Sequence, residues 1–201
     1  FRDDPSIYEN NHVDESWQGA LRRHQPLRDN TTLSYGAEAE GDSIASNNLG
    51  DHARNREAVY GNLDFRALGH FSLSAGAREE FFSGGTSVFS PALAGGLWVK
   101  TKLKLRASVS RGFRLPTYTD LYYSDPANVG NPLLKPESAW SFDAGVDWNP
   151  AGRFSAGLTF FQRWDRNLID YVQFTPGSPY QATNIDNLHF TGVEANAKVR
   201  L

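Results

Sequence analysis

The chain has 201 residues, of which 39% are hydrophobic and 13% aromatic, and its formal net charge is −3. This charge gives no electrostatic basis for nucleic-acid binding, and the absence of cysteine excludes disulfides and thiolate metal sites. The large share of aromatic residues, together with 18 glycines, favours β structure over a helix bundle.

Two-residue alternation of apolar and polar side chains predicts about nine strands along the chain. In the first clear segment, Leu33, Tyr35 and Ala37 share one face while Glu38 and Glu40 share the other. The alternation is clear in 31–44, 70–82, 102–113, 137–148 and 192–201. It is weaker in 13–23, 59–67, 93–99 and 154–160. No apolar run approaches the roughly 18 residues of a membrane-spanning helix.

The connections between these strands alternate in length. Short turns are predicted at 25–30, 68–70, 99–102 and 149–153. Longer polar segments are predicted to be loops at 46–55, 83–90, 112–137 and 171–186. The pattern predicts an all-β, antiparallel up-and-down sheet with short turns at one rim and long loops at the other, which is typical of outer-membrane barrels.

The apolar strand faces have two interpretations. A soluble β-rich adhesin or carbohydrate-binding module would bury them, whereas a membrane barrel turns them to lipid. The strands are long, and the opposite face mixes acidic and basic residues that suit a wet lumen, so the pattern favours the membrane barrel. Aromatic rings concentrate at strand ends, as at Trp17, Tyr35, Phe71, Trp98, Trp140 and Trp148.

Three motifs follow one another in the second half of the chain. They are Gly112-Phe113-Arg114-Leu115-Pro116-Thr117 with a following Leu121-Tyr122 pair, Asn131-Pro132-Leu133-Leu134-Lys135-Pro136-Glu137, and Gly192-Val193-Glu194. In this order they resemble the barrel of TonB-dependent outer-membrane receptors, with the cobalamin and siderophore receptors as the nearest group.

The resemblance implies that 1–201 is a partial receptor barrel domain, with the plug domain and the C-terminal strands absent from the chain. Its strands would be about nine of a transmembrane β-barrel of 22. The location implied is the outer membrane of a Gram-negative-type bacterium.

The partners implied by the resemblance are membrane lipid, a plug domain, the TonB energy-coupling complex and a small-molecule or metal-chelate substrate. The function implied is uptake of a scarce nutrient such as cobalamin or a ferric siderophore. No cofactor is implied. No phosphate loop, nucleophile elbow or zinc helix occurs in the sequence, so we expect no enzymatic activity.

The loop between Arg111 and Glu137 has two interpretations. Its prolines fix the backbone and disfavour helix before them, so the loop can serve only to shape the rim of the barrel. Alternatively, its three tyrosines contact ligand or plug at the mouth; these are Tyr118, Tyr122 and Tyr123.

Aromatic residues of later segments are further candidate ligand contacts, because exposed rings in long loops suit a bulky, partly apolar ligand. They are Trp164, Tyr171 and Tyr180. Packing against neighbouring loops is the alternative.

The two arginines of the first motif region are predicted to differ in role. The resemblance implies that Arg114 faces inward and Arg111 outward, and Asp120 and Glu137 are candidate partners of Arg114. The five histidines are dispersed without the spacing of metal ligands, so no metal site is predicted.

Overall fold

The computed structural model describes residues 9–67, 69–150, 154–185 and 187–199. Within these ranges the chain forms twelve β-strands and one helix of five residues. No helix in this part of the chain is long and apolar enough to cross a membrane. The elements in chain order are β1 (His12–Arg28), β2 (Thr31–Ser46), β3 (Gly50–Ala67), β4 (Phe71–Phe82), β5 (Ser87–Lys100), β6 (Leu103–Arg114), α1 (Tyr118–Tyr122), β7 (Asn128–Val129), β8 (Glu137–Trp148), β9 (Phe154–Arg166), β10 (Leu168–Val172), β11 (Tyr180–Ile185) and β12 (Leu188–Val199).

Nine strands form one antiparallel sheet in the order β1-β2-β3-β4-β5-β6-β8-β9-β12. Each strand therefore pairs with the next long strand in the chain, which is the up-and-down topology predicted from the sequence. The three remaining strands form a small separate sheet, in the order β10-β11-β7, in which β11 pairs with β7 in parallel. The fold class of a partial, antiparallel up-and-down barrel is confirmed.

Most strands are longer than the alternating segments that predicted them. The segment 13–23 becomes His12–Arg28, and 154–160 becomes Phe154–Arg166. The extensions are rich in charged and polar residues, which weaken the apolar alternation but still pair through their backbones. Of the predicted strand 192–201, residues 200 and 201 lie outside the described part, as do residues 151–153 of one predicted turn.

Two of the predicted long loops are wrong. The segment 46–55 contains only a tight turn between Ser46 and Gly50, and 83–90 contains only a turn between Phe82 and Ser87. In the first, the Ser46 hydroxyl accepts from the backbone of the turn, and Gly50 has a φ of +83°. In the second, Gly85 has a φ of +78°. Such left-handed positions close a short turn without the strain that a side chain would bring.

The two sheet faces are unlike in exposure. The face that carries Leu33, Leu63 and Val59 is open to the surroundings, with Leu63 41% and Val59 52% exposed. The opposite face carries the arginines and carboxylates, and their side chains are mostly half-buried against one another. We call the first the outward face and the second the concave face.

Conventional core packing is almost lacking in the sheet. The buried apolar residues in the described part are Ile44, Leu49, Ala58, Leu134 and Ala182. Three of them, Leu49, Leu134 and Ala182, lie in or beside the connections at the loop rim. The sheet thus exposes its apolar face, which a soluble sandwich would bury, and concentrates its packing at one end.

Aromatic rings of the outward face stand near both rims. Trp140 and Trp148 are eight residues apart on β8, which is about 27 Å along a strand and about 20 Å along a barrel axis at a tilt of about 40°. This is close to the height of about 25 Å typical of the apolar band of outer-membrane barrels. Trp98 was expected on the apolar face with the other rings, but it lies on the concave face. There it is paired with Lys104, whose Nζ lies 4.6 Å from the ring centroid.

Candidate functional site

The rim opposite the short turns carries a packed assembly of loops. Its first part is the segment 115–127, which we call the strap. The strap begins after β6, and Thr117 caps α1: its hydroxyl accepts from the backbone of Asp120, and the Asp120 carboxylate accepts from the Thr117 backbone. This reciprocal arrangement is a capping box, in which Asp120 takes the place usual for Glu or Gln. It starts the helix at a defined residue.

Arg114 anchors the base of the strap. Its guanidinium binds both oxygens of Glu137 at 2.8 Å, and a third nitrogen lies 3.2 Å from Asp120. The pairing of Arg114 with these two carboxylates is the one that the sequence predicted. Because a guanidinium matches a carboxylate in geometry, this cluster fixes the last residue of β6 to the first residue of β8 and to α1.

The strap crosses the mouth and docks on the hairpin of β2 and β3. Two strands, β4 and β5, lie between that hairpin and β6 in the sheet. The Tyr118 hydroxyl donates to the backbone oxygen of Asp42 at 3.0 Å, and Arg54 donates to the backbone oxygen of Pro116 at 3.0 Å. Arg54 also binds the Asp42 carboxylate through two nitrogens, at 3.3 and 3.2 Å, and covers the Tyr118 ring at 5.2 Å.

Ring stacking adds to this docking. The rings of His52 and Tyr122 are nearly parallel, with centroids 3.6 Å apart and an angle of 9°. Tyr118 lies 6.0 Å from His52 and 6.4 Å from Tyr122. In addition, Asn48 in the hairpin turn donates to the backbone oxygen of Ser124 at 3.2 Å. These contacts join residues far apart in sequence into one surface at the mouth.

The return of the strap to the sheet is equally constrained. Asn131 accepts from the backbone of Leu133 at 2.9 Å, which closes a turn around Pro132. Gly130 is buried, and a Cβ there would lie 2.7 Å from the backbone carbon of Leu121. Only glycine fits this approach of two backbones.

The second loop, between β9 and β12, is fastened to the first. Asn184 accepts from the backbone of Lys135 at 2.8 Å and donates to the oxygens of Lys135 and Asn167 at 2.9 and 2.8 Å. Glu137 accepts from the backbone of Ile169 at 2.7 Å. The motif residues Lys135 and Glu137 thus act here through backbone and carboxylate contacts between loops.

Below the strap, the concave face carries a continuous series of ion pairs, which we call the charge chain. Its members in order of contact are Arg22, Glu38, Arg78, Glu80, Arg56 and Glu40. The first four contacts measure 3.0, 2.7, 2.5 and 3.5 Å, and Arg56 pairs directly with Glu40. The side chain of Glu80 is only 7% exposed. Three cations and three anions leave the chain without net charge.

Two loop groups have displaced pKa values. Burial raises the pKa of the Tyr118 hydroxyl to about 12, and the neighbouring Asp42 acts in the same direction. The Tyr123 hydroxyl, which donates to Asp125 at 2.8 Å, lowers the pKa of that carboxyl, and backbone donors from Asn128 and Ala127 add to the effect. At neutral pH both shifts favour the protonation state that each hydrogen bond needs. Tyr118 stays neutral and can donate, and Asp125 stays charged and accepts. No group of three or more His, Asp or Glu in the described ranges is placed to hold a metal ion.

Comparison with known proteins decides the family. A family model described as TonB dependent receptor-like, beta-barrel, matches residues 5–201. The chain belongs to this family. The vitamin B12 transporter BtuB of Photobacterium profundum is 25% identical over 194 residues, which are 90% of this chain and 29% of that protein. BtuB of Vibrio vulnificus is 34% identical over 92 residues, which are 45% of this chain and 14% of that protein.

Solved structures of such receptors share the fold. The siderophore receptor PirA from Pseudomonas aeruginosa matches with a TM-score of 0.81 at 19% identity, over 92% of this chain and 39% of that one. This TonB-dependent receptor barrel segment therefore spans well under half the length of the relatives it matches.

The structure brings three of the six predicted ligand contacts together and leaves the other three apart. Tyr118, Tyr122 and Tyr171 come together around α1, where the Tyr171 hydroxyl lies 3.4 Å from the backbone oxygen of Thr119. Tyr123 faces its neighbour Asp125. All four tyrosines are half-buried. Their contact with ligand stays a prediction.

The remaining two predicted contacts lie apart from this group. Tyr180 is exposed at the start of β11, beside Asn128 of β7. Trp164 lies within β9 and not in a loop, on the outward face, where it stacks on His189 at 5.2 Å. Trp164 therefore does not share a surface with the tyrosines of the strap.

Sequence reasoning missed the hairpin side of the assembly. Asp42, Asn48, His52 and Arg54 receive the strap, yet three of them fell in a segment predicted to be a loop. A signal was present, because Asp42 and Arg54 are opposite charges that a continued β2–β3 register places directly across from each other.

Proposed function

We propose that this chain forms part of the barrel of an outer-membrane receptor that imports a scarce, bulky nutrient of the cobalamin or ferric-siderophore class. The observation that carries the proposal is the exposed apolar outward face, set opposite a charge-paired concave face and topped by a loop assembly at one rim. Such a sheet suits lipid on one side and a hydrated lumen on the other. The relatives named above support the class of nutrient.

In this proposal the loop rim faces the outside of the cell and meets the nutrient first. Tyr122 at the end of α1 and Tyr171, whose hydroxyl reaches the backbone oxygen of Thr119 in the same helix, offer aromatic surface to a large, partly apolar ligand. The barrel supplies the wall, while a plug domain and the TonB complex, both outside this chain, couple import to energy. Residues 1–201 would then be one section of a barrel completed by further strands of the same protein.

The soluble adhesin or carbohydrate-binding alternative requires the apolar face to be buried. Outward residues of interior strands, with a neighbour on each side, remain 41 to 52% exposed, as Leu63 and Val59 do. A patch of this extent on a soluble protein would cause aggregation. The observation argues against the alternative.

The test uses the complete receptor that contains this chain, purified in detergent. We expect it to precipitate when detergent is removed and to bind either cyanocobalamin or a ferric siderophore in calorimetric titration. Tyr122→Ala should weaken that binding by about tenfold or more, because loss of a buried aromatic contact is worth about 1–3 kcal/mol. Tyr35→Ala, at the opposite rim on the outward face, is the control and should bind as the wild type does. A receptor that stays monodisperse without detergent, or that binds neither class of nutrient, would refute the proposal.

A further inference from the structure

A cavity on the concave face begins beside β10 and extends toward the middle of the sheet. Its volume is about 560 Å³, which is within the usual range of sites for small ligands. Three neighbouring strands, β8, β9 and β12, form its wall, and Leu168 at the start of β10 lines it from the loop side. The cavity therefore lies in one part of the wall, apart from the tyrosines of the strap.

Two phenylalanine rings form the apolar part of this cavity. Phe161 of β9 lies directly across from Gly192 of β12, and a Cβ added at Gly192 would clash with the Phe161 ring. The glycine of the third sequence motif thus leaves room for this ring to lie over β12. Phe190 is on the same face of β12, two residues before Gly192, and is 49% exposed. Both rings are available to a ligand.

The charged side chains of the cavity do not balance. Arg163 is paired with Asp165 at 2.8 Å, and the Asp165 side chain is only 5% exposed. Asp143 is half-buried and accepts a long hydrogen bond from the Ser108 hydroxyl, at 3.4 Å. Glu194 is exposed, and neither Asp143 nor Glu194 forms an ion pair within the described ranges. The cavity therefore keeps two carboxylates without a cation.

The cations that could compensate these carboxylates lie elsewhere. Arg106 reaches Thr159 at the edge of the cavity, but it is paired with Asp147 at 3.2 Å. On the concave face of the strands, within the described part of the chain, three cationic residues lack a carboxylate partner: Arg66, Lys104 and Lys198. Each is the second residue from the short-turn end of its strand. The concave face thus keeps negative charge at the cavity and free positive charge only at the opposite rim.

We propose that this cavity receives a positively charged amine of the imported nutrient, so that the receptor selects a cationic metal chelate over an anionic one. An ammonium group is attracted to the faces of aromatic rings and to carboxylates. Phe161 and Phe190 offer the first, and Asp143 and Glu194 offer the second. An anionic chelate would bring like charges together here, which is unfavourable. The inference rests on the proposed function and adds the charge of the nutrient to it.

The test compares three ferric chelates in calorimetric titrations of the complete receptor. The first is a trihydroxamate with a free terminal amine, the second is the same chelate with that amine acetylated, and the third is an anionic tris-catecholate. The variants are Asp143→Asn, Glu194→Gln and the double variant; asparagine at 143 can still accept from Ser108. Asp14→Asn is the matched control, since Asp14 is an exposed carboxylate of the same face, on β1 and outside the cavity, with no ion pair in the described ranges.

We expect the wild type and Asp14→Asn to bind the amine chelate about thirtyfold more tightly than its acetylated form, and to bind the tris-catecholate least. Asp143→Asn should weaken binding of the amine chelate about tenfold and Glu194→Gln about threefold, because the first carboxylate is half-buried and the second is exposed. The double variant should no longer distinguish the amine chelate from its acetylated form.

Equal binding of the two trihydroxamates by the wild type, a preference that survives in the double variant, or tightest binding of the tris-catecholate would each overturn the proposal. Binding of cyanocobalamin without any of the chelates would also overturn it, because that nutrient offers amides in place of a free amine. These outcomes leave the proposed function standing. A receptor that binds neither cyanocobalamin nor a ferric siderophore refutes the proposed function itself, so the two failures are distinguishable.

Discussion

The hydroxyl of Tyr118 donates a hydrogen bond to the backbone oxygen of Asp42, 3.0 Å away and 76 residues earlier in the chain. The bond joins the proline-rich strap to a hairpin on the far side of two intervening strands. Together with the contacts of Arg54 and His52, it makes the strap a bridge across the mouth instead of a free loop. The predictions below test which residues hold this bridge, in the complete receptor that contains the chain.

Removal of the Tyr118 hydroxyl should loosen the strap. In Tyr118→Phe the ring and its contact with Arg54 remain, while the hydrogen bond to Asp42 is lost, at a cost of about 1 kcal/mol. We expect hydrogen exchange of residues 115–127 to rise about fivefold at neutral pH. Tyr35→Phe, which changes an exposed outward ring, should leave this exchange unaltered.

The same hydroxyl predicts a loss of docking at high pH. An unfolded tyrosine titrates near pH 10, whereas the folded pKa of Tyr118 is raised to about 12. Because the folded pKa is the higher one, the contribution of the neutral hydroxyl is complete below about pH 10 and is lost as the pH rises through about 12. Tyrosinate absorbance should show a late-titrating group that is missing in Tyr118→Phe, in addition to Tyr171, whose pKa burial also raises. An unchanged titration curve would contradict the half-buried, hydrogen-bonded position of Tyr118.

The cap of α1 at Thr117 should matter more than an equally exposed threonine inside the helix. Thr117→Ala removes the hydroxyl that accepts from the Asp120 backbone, and such caps contribute about 1 kcal/mol. Limited proteolysis should then cleave the strap several times faster. Thr119→Ala, an exposed position inside the same helix, is the control. Similar cleavage rates in the two variants would mean that the cap does not hold the strap.

Two glycines near the strap should differ in their response to alanine. At Gly130 an added Cβ would press on the Leu121 backbone at 2.7 Å, and a shift of this kind costs about 1–3 kcal/mol. At Gly112 nothing lies within 4 Å, so alanine fits without displacement. Thermal melting in detergent should fall for Gly130→Ala and stay near the wild-type value for Gly112→Ala. Gly112, which belongs to the first sequence motif, would then be the glycine that tolerates alanine.

Glu137 should couple the two loops. In Glu137→Gln the ion pair with Arg114 is lost, and the acceptor for Ile169 is weakened, at a cost of about 1–3 kcal/mol. Hydrogen exchange should increase both in 115–127 and at the start of β10. Asp170→Asn, an exposed carboxylate whose described bond is to the adjacent residue, should change neither. An increase confined to one loop would show that the two are independent.

The strands of the sheet could be predicted because the alternation of apolar and polar residues that defines each strand is local in the sequence. Alternation over a few residues, as from Leu33 to Glu40, determines which face each side chain takes, and neighbouring strands then pair in order. The pairing of Arg114 with Glu137 was predictable for the same reason, since the ends of β6 and β8 meet at one rim.

The strap could not be predicted, because its contacts depend on where distant strands end. His52 and Arg54 were read as part of a loop, since charged residues above the apolar band break the alternation while the backbone ladder continues. The short strands β7, β10 and β11 lack any clear period, because each is only two to six residues long and is held by side chains such as Asn184.

The span of 76 residues between Asp42 and Tyr118 has a consequence for the order of assembly. Adjacent hairpins close with little loss of chain entropy, whereas the strap can dock only after β2 to β6 stand in register. The mouth is therefore the last part of this segment to become ordered. We therefore expect a stage of assembly in which the strands of this segment are already paired while the strap across its mouth is not yet docked.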